Sequence, residues 1–438
     1  MIRRTFQFGL IAAVVAGVIA AKATEPRQEL DTGPNAAMHV PALAGDPLTS
    51  TAALALTGNK SGDLGLTDGG VRSAFPRRRP DLARATPVPA DGSDPAFEVM
   101  AGQMLMVGFQ GDDVDQAGPL RVARQIEAGR LGGVIFFRQN VKSEAAVKRL
   151  TALFRRSAPP GLPVLIAVDQ EGGKVQRLTT KVGFASTPSA RRVADDGEEA
   201  ATRIYGDLAR ALADWGFNVN LAPVVDLGAD RDNPIIARLG RAFSGDPATV
   251  AALAGRFVAA HRAAGILTSL KHFPGHGSSD GDTHKGFVDV SLSWREIELA
   301  PFRTLIAEGL ADMVMVAHVH LSPYGTEGQP ASLSRDLIQG LLRDTLGFEG
   351  VVISDDMEMG AVTRLGDPID LAAEAVAAGN DIIVYAGGAA GQDDIVDALQ
   401  TSLAGAAAAD PVLHGRVAQS FRRVMAMKAD RLAPRPAR

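Results

Sequence analysis

Gly265-Ile266-Leu267-Thr268-Ser269-Leu270-Lys271-His272-Phe273-Pro274-Gly275-His276-Gly277-Ser278-Ser279-Asp280-Gly281-Asp282-Thr283-His284 is an apolar run that opens into a loop of ionisable residues. The run through Leu270 reads as a buried strand, and the Gly and Pro that follow turn the chain. A turn alone has no use for a lysine, two aspartates and three of the chain's eight histidines within fourteen residues. Asp282 and His284 stand two apart, so in an extended loop both side chains lie on one side. There the carboxylate can accept the imidazole N–H and orient the ring, which makes an acid/base pair.

Two more segments have the same design. Gly350-Val351-Val352-Ile353-Ser354-Asp355-Asp356-Met357 is a β-branched apolar run ending in adjacent carboxylates. Leu162-Pro163-Val164-Leu165-Ile166-Ala167-Val168-Asp169-Gln170-Glu171-Gly172-Gly173 is another, with Arg177 just beyond. Carboxylates at the C-terminal ends of several strands suit an active site on a parallel α/β scaffold. Eight strands are predicted, at 104–109, 133–137, 164–169, 218–225, 266–272, 313–319, 351–355 and 381–385. Helical patterns separate them, including 198–215, 247–264, 294–308, 335–346 and 370–378. Near-continuous apolar strands alternating with helices imply a parallel sheet, and eight is the number that closes a barrel. The expected fold is an α/β (β/α)8 TIM-type barrel, a single catalytic domain over residues 95–438. An open doubly wound sheet is the alternative, but it offers no reason for ionisable groups after strands so far apart in order. A last helical stretch at 417–429 is expected to pack outside the barrel.

With 438 residues and 46% hydrophobic content, the chain can bury a large core. A net charge of −5 with mixed signs shows no basic patch, so nucleic acid is not an expected partner. The absence of cysteine excludes disulfides, thiolate metal sites, cysteine nucleophiles and lipidated cysteine anchors. Arg3 and Arg4 precede an apolar run at 6–21, and Ala21-Lys22-Ala23 is a small-x-small pattern. That is the layout of a signal peptide over 1–23, which predicts an exported protein, periplasmic or secreted, that meets the membrane only during export. An uncleaved anchor is the alternative, although the run is short beside the ~20 residues of a spanning helix. Arg3-Arg4-Thr5-Phe6 is similar to a twin-arginine signal, from which Ile2 and Gln7 depart. Residues 24–94 are rich in Pro, Gly, Ala, Ser, Thr and Asp without periodicity and read as a disordered linker. Its Arg77-Arg78-Arg79 cluster reads as a solvated charge run.

The loop with Lys271-His272-Phe273-Pro274-Gly275-His276-Gly277 and Asp282-Thr283-His284, the strand ending Ser354-Asp355, and the run from Asp169 to Arg177 resemble glycoside hydrolase family 3. The likeness is to its single-domain bacterial β-N-acetylglucosaminidases and extends from about residue 95 to the C-terminus. It implies a retaining exo-β-N-acetylhexosaminidase acting on peptidoglycan fragments or chitooligosaccharides, a monomer with no cofactor or metal. The resemblance places the nucleophile, which forms a covalent intermediate, at Asp355, and the acid/base at His284 with Asp282 as its orienter. Imidazole has a reference pKa near 6.5, and a flanking carboxylate helps keep it protonated near neutrality. Asp169, Arg177, Arg241, Lys271 and His272 match positions that bind the non-reducing sugar, whose dense hydroxyls suit charge-assisted hydrogen bonds. Two departures stand out. Thr283 replaces the family's usual Ser and keeps the hydroxyl. In Asn233-Pro234-Ile235-Ile236-Ala237-Arg238-Leu239-Gly240-Arg241, Arg238 competes with Arg241 for the sugar-binding role. Asp356 reads as structural, His276 as holding the loop by hydrogen bonds to backbone, His318 as lining the pocket and His320 as equally suited to the surface.

Other activities fit parts of the pattern. A β-glucosidase-like family-3 enzyme is the nearest. A phosphorolytic variant is another, because an imidazole acid/base carries no negative charge to repel phosphate. A metal-dependent barrel hydrolase could draw on His272, His276, His284, Asp280 and Asp282, whose spacing matches no recognised metal site, or on His318-x-His320, which could mark such an enzyme but lacks evident further ligands. A non-catalytic sugar-binding protein would have no need of Asp355, Asp282 and His284.

Overall fold

Strands that are apolar on both faces must be covered on both. This chain does so by closing the sheet and ringing it with helices. A computed structural model describes residues 95–432, apart from 323, 326–327 and 388–394. The regions expected as signal peptide (1–23) and linker (24–94) lie outside the described residues. Eight parallel strands form the closed barrel: β1 (Leu105–Val107), β2 (Gly133–Phe136), β3 (Leu165–Val168), β4 (Val219–Asn220), β5 (Leu267–Phe273), β6 (Met313–Val316), β7 (Val351–Asp356) and β8 (Ile382–Tyr385). Each pairs with its neighbour in chain order, and β8 closes onto β1. All eight predicted strands are present.

The helices follow strand by strand: α1 (Ala117–Glu127), α2 (Glu144–Ser157), α3 (Glu198–Asp214), α4 (Pro247–Ala263), α5 (Ala300–Ala307), α6 (Asp336–Thr345, π-wound), α7 (Leu371–Ala378) and α8 (Ile395–Ala409). Ser143 caps α2 and Asp246 caps α4 by accepting a backbone N–H of the first turn. Along each strand alternate residues join different clusters. Met106, Ile135, Leu165, Ala167, Met313, Met315, Val351, Ile353, Ile382 and Val384 pack together inside the barrel. Val107, Val134, Phe136, Ile166, Val168, Val314, Val352 and Ile383 face outward into the helix layer. This period-two division points the residues two beyond Ala167 and Ile353, which are Asp169 and Asp355, toward the barrel mouth.

The final helix, α9 (Pro411–Leu432), is placed differently from the sequence expectation. It runs under the N-terminal ends of the strands and closes the lower mouth: Val424 and Met427 join the interior cluster. Fully buried Lys428 donates to the Gln103 side chain at 2.7 Å and the Gly132 carbonyl at 3.0 Å. Ser420 and Arg423 reach the buried Asp381 at 2.7 and 3.3 Å, where Arg343 also bonds it at 2.6 Å. The amphipathic pattern showed that one face is buried but not what buries it.

Candidate active site

Two of the strands that carry the ionisable residues are bulged at the site. Between β5 and β6 the register advances three residues, Leu270 to Phe273, against two, Val314 to Val316. Between β7 and β8, Ile353 to Asp356 opposes only Ile382 to Val384. A bulge breaks strict alternation and re-aims side chains, and it recurs beside active sites. Here consecutive Lys271 and His272 are both buried and joined to one polar cluster. At β7 the Val384 N–H is taken up by the Ser354 hydroxyl at 3.0 Å.

Lys271 Nζ lies 3.0 Å from Asp169 and 2.7 Å from Glu171, with its side chain 3% exposed. Arg241 grips Glu171 through two bonds of 2.8 Å, and Arg177 reaches Asp169 at 3.0 Å. His272 stands 3.3 Å from the Arg241 guanidinium. All five expected sugar-binding residues therefore meet in one cluster, with Glu171 at its centre. Arg238 instead pairs with exposed Asp232 at 3.2 Å, whereas Arg241 is the arginine of that segment joined to the cluster. Burial works against charge on Asp169 and Glu171, but the cations beside them hold both carboxyls below the ordinary range. Glu171 was quoted in the sequence motif without a role; one carboxylate between two cations cannot be read from spacing.

A second buried carboxylate, Asp226, was not anticipated. It accepts from the His272 ring at 2.6 Å and from the His272 and His276 backbone N–H groups at 3.2 and 2.8 Å. The ring of His276 bonds not to backbone but to the hydroxyls of Ser279, at 2.6 Å, and Thr283, at 3.4 Å. Burial pushes that imidazole down to about 4, so it stays neutral and structural. Gly277 fits because a Cβ there would lie 2.1 Å from the Leu227 carbonyl oxygen.

Asp282 and His284 form the expected pair, Nδ1 to Oδ1 at 2.8 Å, and the same carboxylate oxygen accepts the His284 N–H at 3.1 Å. Partial burial opposes charge on Asp282, but the bonds from His284 bring its carboxyl below the ordinary range. The imidazole is 67% exposed, which leaves Nε2 as the atom a substrate oxygen can meet. The residues after β7 hold this loop. Gly360 N–H donates to the His284 carbonyl at 3.2 Å, Ala361 N–H to Thr283 at 3.1 Å and Arg364 to Lys285 at 3.0 Å.

Asp355 sits at the end of β7, where Asp356 N–H donates to it at 2.8 Å. Burial opposes its charge, while the facing imidazoles of His318, His272 and His284 and the Asp356 N–H bring its carboxyl below the ordinary range. His318 does reach the site. Its Nε2–H donates to the Asp356 carbonyl at 2.9 Å, and its Nδ1 lies 2.7 Å from the Ser332 hydroxyl. Burial pushes Asp356 itself up to about 7, although its Oδ1 accepts from Glu358 and Ala386 N–H. His320 is buried rather than exposed, with Nδ1–H donating to Gln329 at 3.1 Å. Among the described residues no group of three His, Asp or Glu side chains is arranged to hold a metal ion.

The arrangement is a carboxylate at the strand end, a histidine on an exposed loop and a buried cluster of paired charges. Residues 97–426 match the N-terminal domain of glycosyl hydrolase family 3, and the chain belongs to that family of glycoside hydrolases. A β-hexosaminidase of Pseudomonas aeruginosa is 39% identical over 257 residues, 58% of this chain and 74% of that one. One from Tolumonas auensis is 35% identical, covering 68% and 86%. Among solved structures, a family-3 β-N-acetylglucosaminidase from Paenibacillus superposes with a TM-score of 0.71 at 32% identity, covering 79% of this chain and 64% of that one. A β-N-acetylhexosaminidase from Beutenbergia cavernae gives 0.68 at 32% identity, covering 77% and 99%.

Proposed function

We propose that the chain is a retaining, exo-acting β-N-acetylhexosaminidase that releases terminal N-acetylglucosamine from peptidoglycan fragments or chitooligosaccharides. The observation that carries the reading is the joining of two elements. An ionised Asp355 ends β7, and the segment after that strand holds the Asp282–His284 loop by three hydrogen bonds. The names of the relatives support the choice of sugar.

In the first step an Asp355 oxygen attacks the anomeric carbon as the bond to the leaving oxygen breaks. Protonated His284 Nε2 gives its proton to that oxygen. In the second step neutral Nε2 takes a proton from water, whose oxygen displaces Asp355 from the same carbon. Two inversions give net retention. Asp282 holds Nδ1–H throughout, so the proton moves only at Nε2. The Asp169–Glu171–Lys271–Arg241 cluster and Arg177 provide charged partners for hydroxyls of the bound sugar. On this reading the enzyme is a monomer working outside the cytoplasm. It needs no cofactor, because nucleophile and proton donor are both side chains.

The test compares aryl β-N-acetylglucosaminide with aryl β-glucoside, each with and without phosphate. Faster release from the first, unchanged by phosphate and yielding free N-acetylglucosamine, is expected. Preference for the glucoside would favour a β-glucosidase, and a sugar phosphate product would favour phosphorolysis.

A further inference from the structure

Beside His284 the barrel rim carries an aromatic surface that the two-step reaction leaves unused. Phe287 follows His284 by three residues and is 47% exposed. Its backbone is fixed. Val288–Asp289 pairs in parallel with Val319–His320, and Gly286 lies so close to Arg364 that a Cβ would sit 2.7 Å from the guanidinium carbon. The Phe287 ring lies 5.6 Å from the His320 imidazole, tilted by 31°. His320 is buried and anchored to the Gln329 carbonyl, so it forms a rigid backing. Leu292 and Ile297 are also exposed, but they are aliphatic and offer no ring.

The position relative to the chemistry follows from proton transfer. His284 must donate to the leaving-group oxygen, so groups outward of His284 from Asp355 face the aglycone. Asp355 ends a barrel strand, whereas His284 and Phe287 are exposed on the loop above it. His320 stands two residues beyond His318, whose ring bonds the Asp356 carbonyl. A pyranose presents an apolar C–H face, and the bare face of an aromatic ring held rigid from behind complements it.

We infer that Phe287, backed by His320, is an aglycone platform that stacks on a second hexopyranose ring linked to the sugar being released. This deepens the hexosaminidase reading and rests on it. The test is Phe287→Ala, with Phe287→Tyr as the conservative control, on N,N′-diacetylchitobiose and on methyl β-N-acetylglucosaminide. The two substrates share the released sugar, and only the first carries a second ring. Phe287→Ala should lower kcat/KM for the disaccharide about fivefold. The methyl glycoside rate and inhibition by free N-acetylglucosamine should be unchanged, and Tyr should restore the disaccharide rate. Equal losses on both substrates, no loss on the disaccharide or altered inhibition by the monosaccharide would overturn the platform. If the wild-type enzyme releases N-acetylglucosamine from neither substrate, the hexosaminidase reading falls and takes the platform with it.

Discussion

Asp355 and Asp356 are adjacent carboxyls with opposite behaviour. Burial opposes charge on both, but Asp355 has an N–H and three imidazoles facing it and lies below the ordinary range. Asp356, close to Asp355 and Glu358, is pushed up to about 7. One is thereby suited to attack as a carboxylate, while the other, less readily ionised, ties β7 to the end of β8 by accepting from the Glu358 and Ala386 N–H groups. His284 gives the sharpest test at this scale. His284→Ala should slow glycosides with poor leaving groups by roughly 10²–10⁴-fold while sparing activated aryl glycosides, whose departure needs little proton donation. Equal loss on both would contradict its role as acid. Glu171 tests the buried charge cluster. Removing it strips Arg241 of its bidentate partner and Lys271 of one of two carboxylates. Glu171→Ala should therefore cost about 3–5 kcal/mol in denaturant melts, as for a broken buried pair. A loss below about 1 kcal/mol, typical of exposed pairs, would contradict that account.

At the scale of elements, the loop after β5 is held from two directions. The segment after β7 bonds residues 283–285, and Glu298, just before α5, bonds residues 277–278. Glu298 accepts from Ser278 Oγ at 2.5 Å and Gly277 N–H at 3.1 Å, and burial pushes its carboxyl up to about 7. A carboxyl raised on folding stabilises the fold fully below its unfolded pKa, near 4.5, and that contribution is lost as pH rises through about 7. Gln can hold both contacts, its Oε1 accepting the Gly277 N–H and its NH2 donating to the Ser278 hydroxyl, and it cannot ionise. Glu298→Gln should therefore gain stability relative to wild type between pH 5 and 7.5, by on the order of 3 kcal/mol at most. A stability difference that does not change with pH would show that Glu298 does not titrate in this window.

At the scale of the molecule, the eight strands were legible because each lies in a mostly apolar run that a sheet covered on both faces can bury. The Asp282–His284 pair was legible from its two-residue spacing. Asp226 and the central place of Glu171 were not, since a carboxylate in a loop looks alike in sequence whether solvated or gripped by buried partners. The post-β7 clamp on the catalytic loop and the placement of α9 under the barrel depend on which distant segments meet, which no local pattern encodes. Export remains a proposal drawn from residues 1–23. N-terminal sequencing of protein from the extracytoplasmic fraction should begin near Thr24, and deleting 24–94 should leave turnover of a small aryl glycoside nearly unchanged. An intact Met1 on protein confined to the cytosol, or collapse of activity on deletion, would contradict it. The barrel's central task in this account is to present Asp355 to an anomeric carbon. A fluorinated, slowly hydrolysed N-acetylhexosaminide followed by digestion and mass spectrometry should place one sugar adduct on Asp355, with none in Asp355→Asn. An adduct on Asp356 or Asp169, or turnover retained by Asp355→Asn, would contradict the account.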